Sequence, residues 1–517
     1  MDSKILNLLS LITPFFLCVI VALKLRRNVQ KTKSSPNIPP GPWKLPIIGS
    51  IHHLITSTPH RKLSDLAKVY GPLMHLQLGE IFTIIVSSSE HAEEIMKTHD
   101  VNFASRPRML LTDIVSYGYT NIAFAPYGNY WRQVRKLCTV HLLSQKRVKS
   151  FQSLRENEFT SLVTMLASHN GSPVNLTETV SSSIYNVVSR AIFGTKCEDR
   201  EDFILLIKEA APIAAGLNIA DLFPSAKWLQ LVTGLRPKIE KMQRQIERIL
   251  ENIINEHKET QSKAKGDHED LVDVLLKFHD GNDRDQDICL TNNNIKAIMQ
   301  DLFAAGGETS SNAINWAMAE MVKNPRVMKK AQVEVREVFD MKRRVDENCI
   351  DELKYLKSVV METLRLHPPA PFLLPRENKH ACEIGRYEVP VKTKVIINAW
   401  AIGRDPNYWT ESEKFYPERF IDSSIDYNGR NFNFIPFGAG RRICPGITMA
   451  AANIEVALAF LLYHFDWKLP NGLESEDMDM TEVFGAAVRR KDDLYLIPVT
   501  SRPLLIYIVG ENLLHMQ

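Results

Sequence analysis

Cys444 stands in the stretch Phe437-Gly-Ala-Gly-Arg-Arg-Ile-Cys-Pro-Gly446, which runs straight into an apolar-periodic segment marked by Ile447, Ala451, Ile454, Leu458 and Leu461. Proline suits the first turn of a helix, so the cysteine is expected at a helix N-terminus. There the backbone N–H groups and the helix dipole stabilise a thiolate, and Arg442 adds positive charge two residues away. Gly438, Gly440 and Gly446 let the backbone turn tightly beside a flat ligand. This is the chemistry of a metal-ligating thiolate. The other six cysteines, Cys18, Cys138, Cys197, Cys289, Cys349 and Cys382, are scattered and form no C-x-x-C pair. An odd, dispersed set argues against a disulfide scaffold and against a zinc site.

Three further clusters carry chemistry. Glu362-Thr-Leu-Arg365 puts a carboxylate and a guanidinium at i and i+3, on one helix face. Trp131 and Arg135 stand at i and i+4, an indole N–H and a guanidinium that together suit a carboxylate. Ala304-Ala-Gly-Gly-Glu-Thr-Ser310 lies inside a long helical pattern. Two adjacent glycines there cost roughly 2 kcal/mol relative to alanine, so close packing or function is expected of them. Small residues let something large approach the backbone, and Thr309 can bond back to a carbonyl and bend the helix.

The elements that position these groups read as mostly helical. The longest helix spans Asn294 to Asn324, closed by Pro325. Asp351 to Leu366 carries Leu353, Leu356, Val360 and Leu364 on one face and stops at Pro368-Pro369. Leu73 to Val86 reads as two strands around Gly79-Glu80, followed by a helix capped at Ser88 or Ser89, and Lys394 to Ile402 reads as a strand. Many helices with a few short strands imply a mainly α fold (α+β) with small β-sheets.

The motif F-x-x-G-x-R-x-C-x-G, met at Phe437, Gly440, Arg442, Cys444 and Gly446, resembles the haem-binding loop of the cytochrome P-450 monooxygenases. The resemblance runs from the proline-rich stretch to about Pro498 and is nearest to the plant 71-clan type, including its terpenoid-oxidising members. It implies the cytochrome P-450 fold, haem b, O2 as co-substrate and NADPH electrons delivered by a flavoprotein reductase. Cys444 is then the axial iron ligand. Trp131, Arg135, Arg376 and Arg442 are the residues for the haem propionates, within a cofactor site that includes Phe437, Gly440 and Gly446. Glu362, Arg365 and Arg419, the last in Pro417-Glu-Arg-Phe420, form a buried structural triad behind the cysteine loop. Thr309 positions protons for oxygen activation, with Glu308 as the acid that feeds them. Val115, Ala304, Ala305, Ala370, Phe372, Ala486 and Ala487 line a chamber for a compact apolar substrate. Arg132, Lys136 and Arg441 belong to a basic face for the NADPH-cytochrome P-450 reductase.

The reaction implied is hydroxylation or epoxidation of a plant specialised metabolite, with a terpenoid first and an alkaloid or phenolic compound second. A reductase-independent haem-thiolate isomerase or dehydratase is the alternative in another class. The acid–alcohol pair Glu308-Thr309 argues against it, because peroxide rearrangement needs no proton delivery. A non-catalytic haem-binding protein is the third reading, opposed by the anchor, the apolar chamber and the basic face.

Composition sets the frame. In 517 residues, 44% are apolar and 24% charged, as in ordinary globular proteins. With 63 basic and 60 acidic residues the formal charge is +3, so no strong overall field draws the chain to nucleic acid. Ile5 to Leu25 is long and apolar enough to span a bilayer, and Lys24, Arg26, Arg27, Lys31 and Lys33 follow it. The expectation is an uncleaved anchor helix over 1–25, not a cleaved signal peptide. It would be single-pass in the endoplasmic reticulum membrane, with the catalytic part facing the cytosol. Residues 26–46 read as a basic and proline-rich hinge, 47–500 as the catalytic domain and 501–517 as a tail without catalytic role.

Overall fold

The helix and strand pattern of the sequence is largely the one observed, and the departures have local causes. The structure is a computed structural model that describes residues 37–194, 199–214, 218–261, 269–279, 288–485 and 487–503. The expected anchor, most of the hinge, most of the tail and Ala486 lie outside the described residues. Among the described residues one helix is long and apolar enough to cross a membrane, Ile447–His464, and it is mostly buried inside the protein.

The elements that matter for the site run in chain order as follows. Helix α1 (Pro59–Tyr70) precedes strands β1 (Leu73–Leu78) and β2 (Ile81–Val86). Helices α2 (Leu110–Val115), α3 (Asn129–Leu137), α4 (Leu176–Phe193), α5 (Arg200–Ala214) and α6 (Leu235–Gln261) follow. Then come α7 (Asn292–Lys323), α8 (Pro325–Asp340), α9 (Lys354–Leu366), β3 (Arg376–Glu377), β4 (Lys394–Ile397), α10 (Ile447–His464), β5 (Glu482–Val483) and β6 (Arg489–Arg490). One four-stranded sheet has the order β1-β2-β4-β3, with β2 parallel to β4 and the other pairs antiparallel. The remaining sheets are smaller. The body is mainly helical with small sheets, as the sequence implied.

Two boundaries and the bonding of one cap differ from the sequence pattern. Helix α9 starts at Lys354, after a short 3-10 turn over Glu347–Glu352. The Glu334 carboxylate accepts the otherwise unpaired N–H groups of Tyr355 (2.7 Å) and Leu356 (2.9 Å), and so fixes that start. The Lys394 strand stops at Ile397 because Asn398 caps a helical turn, accepting from the Ala401 N–H at 3.2 Å. Ser88 is the N-cap of its helix, but its hydroxyl pairs with His91 Nδ1 (2.9 Å) and not with the backbone.

Helix α7 is the spine of the molecule. Thr291 and Asn294 cap its start reciprocally, Asn294 N–H to Thr291 Oγ1 (3.2 Å) and Thr291 N–H to Asn294 Oδ1 (3.0 Å). The helix continues unbroken through Gly306 and Gly307. The reason for Gly307 lies in packing against α4. A Cβ at Gly307 would sit 2.3 Å from Tyr185 Cε1, whereas one at Gly306 would meet Val188 at 3.4 Å. Gly307 therefore serves helix–helix approach on the flank of α7, and Ala305 and Thr309 are left to the opposite side.

This predicts an asymmetry between the two glycines. Gly307→Ala should lower the thermal unfolding midpoint, because overpacking costs about 1–3 kcal/mol. That exceeds the roughly 1 kcal/mol alanine gains in a helix. Gly306→Ala should leave the midpoint unchanged or raise it.

Candidate functional site

The cysteine loop is shaped by contacts that only a glycine backbone permits. Gly440 has φ +66°, and a Cβ there would lie 2.1 Å from the Met96 carbonyl oxygen. The Arg441 N–H donates to Asp100 Oδ2 (3.0 Å), so Asp100 holds the loop from outside. Cys444 follows, its N–H donating to the Phe437 carbonyl at 2.9 Å. Helix α10 begins only at Ile447, so Pro445 precedes the helix and does not occupy its first turn. The Gly446 N–H still points at the Cys444 sulfur, at 3.4 Å.

Burial raises the Cys444 thiol pKa, and the Gly446 N–H and Arg135 oppose that rise. The loop alone does not make a free thiolate. A thiol held in this way is deprotonated outright when it ligates a metal. Phe437 packs edge-on to Tyr427 at 5.4 Å between ring centroids and covers the loop.

Four guanidiniums surround this loop. Arg442 donates to the carbonyls of Ala104 (2.6 Å), Ile122 (3.3 Å) and Ala125, and lies over the Trp131 ring at 4.1 Å. Arg376 donates to the Ala439 carbonyl (2.8 Å) and faces Asp100 at 3.4 Å. Arg106 donates to the carbonyls of Ala123 (3.1 Å), Leu374 (2.7 Å) and Pro375 (2.9 Å). Arg135 is half-buried on α3, where Cys444 is the charged neighbour that most favours its cation.

Burial and mutual repulsion push these cations down. Arg442 falls to about 9, with Arg376 and Arg135 among the causes, and Arg376 falls to about 10. Arg106 is lowered by burial and by Arg442 and Arg376. Among the described residues, Asp100 is the one carboxylate partner of this set. One sulfur ligand beside a buried cationic excess fits an iron porphyrin with two carboxylate side chains. Trp131 contributes through its ring, since its indole N–H is engaged by the Ile122 carbonyl at 3.0 Å. Arg106 and Asp100 went unseen in the sequence because neither sits in a motif, and their position is purely tertiary.

Behind the loop stands a buried carboxylate. Arg365 donates Nε to Glu362 Oε2 (2.7 Å) and Nη2 to Oε1 (2.9 Å). Arg419 Nε and the Tyr416 N–H also donate to Oε1, at 2.9 and 2.8 Å. The Glu362 and Arg365 side chains are fully buried. The remaining donors of Arg365 bind the carbonyls of Gly403 (2.6 Å), Ser412 (2.7 Å) and Lys414 (3.2 Å). The three expected residues are thus brought together, with Tyr416 as a fourth donor.

Across α7, Thr309 donates its hydroxyl to the Ala305 carbonyl at 2.7 Å, without interrupting the helix. Burial raises the Glu308 pKa, and Arg489 and Lys208 act against the rise. Asp301 lies half-buried one turn before Ala305. It accepts from Asn121 Nδ2 (2.8 Å) and the Ala123 N–H (2.9 Å), and burial raises it to about 6. It pins the 116–125 loop to the spine.

Among the lining residues, Val115 packs with the apolar cluster of Leu110, Leu111, Ile213, Ile239 and Met242. Ala304 is half-buried against the main core, and Ala305 is exposed. The Val488 N–H donates to the Pro369 carbonyl (2.9 Å), joining the segments that carry Ala370 and Ala487. Phe372 turns its ring to Phe484 (5.4 Å) and His60 (6.3 Å) and packs beside the Leu54–Leu63–Leu66 cluster. Arg132 and Lys136 are exposed one turn apart on α3. Arg441 lies over Tyr127 at 5.8 Å, and Tyr127 packs on Trp131 at 5.6 Å, which brings Arg441 to the N-terminal end of α3 where Arg132 stands, while Lys136 lies in the last turn of that helix.

Comparison with known proteins places this geometry. A sequence model of the family described as Cytochrome P450 matches residues 39–497. Cytochrome P450 71D11 of Lotus japonicus is 58% identical over 489 residues, 94% of this chain and 99% of that protein. Salviol synthase of Salvia pomifera is 49% identical, covering 95% and 97%. Desmethyl-deoxy-podophyllotoxin synthase of Sinopodophyllum hexandrum is 51% identical, covering 94% and 96%. Among solved structures, a zebra fish cytochrome P450 with progesterone superposes with a TM-score of 0.72 at 26% identity, covering 85% of this chain and 99% of that one.

The buried triad yields a prediction. Glu362→Ala leaves two guanidiniums unpaired, and breaking a buried charged network costs about 3–5 kcal/mol. Purified variant protein should carry little haem, measured by the Soret absorbance per unit of protein.

Proposed function

The chain belongs to the cytochrome P450 family, and we propose on that premise that it oxidises a compact apolar plant metabolite, first of all a terpenoid. The family's haem iron, O2 and reductase-supplied electrons are its chemistry, and it is a monooxygenase. The observation that carries the finer reading is the Glu308-Thr309 pair on α7. The acid is pushed towards neutrality by burial, and the alcohol is tethered to the helix backbone beside the exposed Ala305.

When bound, the haem supplies the activation of O2 from which one oxygen atom enters the substrate. The residues of this chain do the rest. Cys444 offers the sulfur ligand, and the Gly446 N–H moderates its charge. Arg135, Arg376 and Arg442, with Trp131 at their centre, would hold the porphyrin carboxylates, whose charge balances the cationic excess described above. Thr309 donates to the Ala305 carbonyl, so its lone pairs are free to accept a proton donor on the chamber side. Glu308 keeps a proton closer to neutral pH than an exposed carboxyl does, which suits a general acid. The alanines and Val115 exclude water and offer no charge to an ionic substrate.

The substrate class is supported by the relatives named salviol synthase and premnaspirodiene oxygenase. Desmethyl-deoxy-podophyllotoxin synthase is as similar in sequence, so an alkaloid or phenolic substrate is the second reading. The reductase is read onto Arg132, Lys136 and Arg441. Residues 1–25 are read from the sequence as an anchor, which would hold the enzyme on the endoplasmic reticulum membrane with its body in the cytosol. A panel of terpenes, alkaloids and phenolics assayed in microsomes tests the substrate.

Two outcomes follow. Thr309→Ala should bind substrate normally but yield at least about tenfold less product per NADPH, the lost turnover appearing as peroxide, since positioned proton transfer contributes about 10²–10⁴ in rate. The rate of reduction by the reductase should fall as salt rises, and more weakly in Arg132→Gln/Lys136→Gln. Stopped-flow reduction at several ionic strengths measures it.

A further inference from the structure

The flank of α7 opposite Ala305 holds a group that the reaction as described does not use. Tyr185 on α4 is fully buried, and its hydroxyl has no hydrogen-bond partner among the described residues. Buried hydroxyls without partners are uncommon, and each asks for an explanation. The ring is held against Phe303 at 5.6 Å and against the backbone at Gly307, where there is no room for a Cβ. The next residue of the helix is Glu308. Its charge is, after burial, the influence that raises the Tyr185 pKa. Lys208 of α5 lies over the Tyr185 ring at 5.3 Å, and Lys208 and Arg489 of β6 are the cations that act on Glu308. Three elements thus place an unpartnered tyrosine and two cations around the residue of α7 that carries the carboxylate of the acid–alcohol pair.

We propose that Tyr185 is a positioning residue for Glu308, its hydroxyl donating a hydrogen bond to that carboxylate from the α4 side of the helix. Gly307 then has a functional reason as well as a packing one, because it sets the tyrosine close enough to reach its neighbour. The bond holds Glu308 next to Thr309 and keeps its proton affinity within reach of transfer. Thr309 faces the chamber, and the acid is managed from the other side of the same helix by Tyr185, Lys208 and Arg489. The inference rests on the proton-feeding role assigned to Glu308 above.

The test uses the full-length holoenzyme with its reductase and compares Tyr185→Phe, Glu308→Gln and the parent. Tyr185→Phe keeps the ring that packs on Gly307 and removes only the hydroxyl, so haem content and the substrate-binding spectrum should be unchanged. Two quantities should move. Product per NADPH should fall severalfold. The protonated-carboxyl infrared band that disappears in Glu308→Gln should titrate about one pH unit higher, the tenfold change in proton affinity expected on losing a hydrogen bond to a charge. An unchanged titration midpoint and full coupling in Tyr185→Phe, beside a poorly coupled Glu308→Gln, would overturn the role of Tyr185 alone. Full coupling in Glu308→Gln would instead overturn the acid role on which it rests.

Discussion

The Glu362 carboxylate is the constraint around which this molecule is organised. A charge with no solvent access is tolerable only when it is paired and its lone pairs are satisfied. Glu362 meets that condition by gathering two arginines and the Tyr416 N–H. Arg365 in turn must spend its other donors, and it binds carbonyls at 403, 412 and 414. The irregular 403–419 stretch is thereby wound onto α9. Trp409 stacks beside Arg365 at 5.2 Å and packs edge-on to Phe434 at 6.2 Å, three residues before Phe437 opens the cysteine loop. Satisfying one buried charge fixes the chain that leads into the cysteine loop.

The same economy governs α7. Its two sides carry different duties. Gly307 admits Tyr185 on the flank, which lets α4 lie close along the spine. Ala305 and Thr309 occupy the other side, where the Thr309 hydroxyl is bonded to the carbonyl of the exposed Ala305. Asp301, one turn earlier, binds the 116–125 loop and so ties it to the helix. A long helix suits this task because residues four apart keep their mutual position without any loop to hold them.

The four guanidiniums at the loop make a complementary point. Arg106, Arg376 and Arg442 donate to backbone carbonyls, yet their charges are not balanced. Burial lowers both Arg442 and Arg376, Arg376 and Arg135 lower Arg442 further, and Asp100 opposes the shift at both. A set built this way is pre-formed for an anionic partner, because the donors are already oriented and only the charge awaits compensation.

The candidate ligand Cys444, the adjacency of Glu308 and Thr309, the Glu362–Arg365 spacing and the mainly helical class were all legible in the sequence, since each depends on neighbours within a turn or two. The sequence also carried the family, through a motif whose glycines are demanded by the local backbone. Tertiary structure alone decided what those residues face. Glycine 307 reads in sequence as room for a ligand, and the fold gives that room to Tyr185. Trp131 reads as a donor to a carboxylate, and the fold turns its N–H to Ile122. Phe372 reads as a chamber wall, and its ring joins His60 and Phe484. The Lys394 segment reads as one strand, and Asn398 ends it. Arg106, Asp100 and Asp301 carry no local signature, because a charge buried by residues from distant parts of the chain leaves no periodicity in the sequence around it.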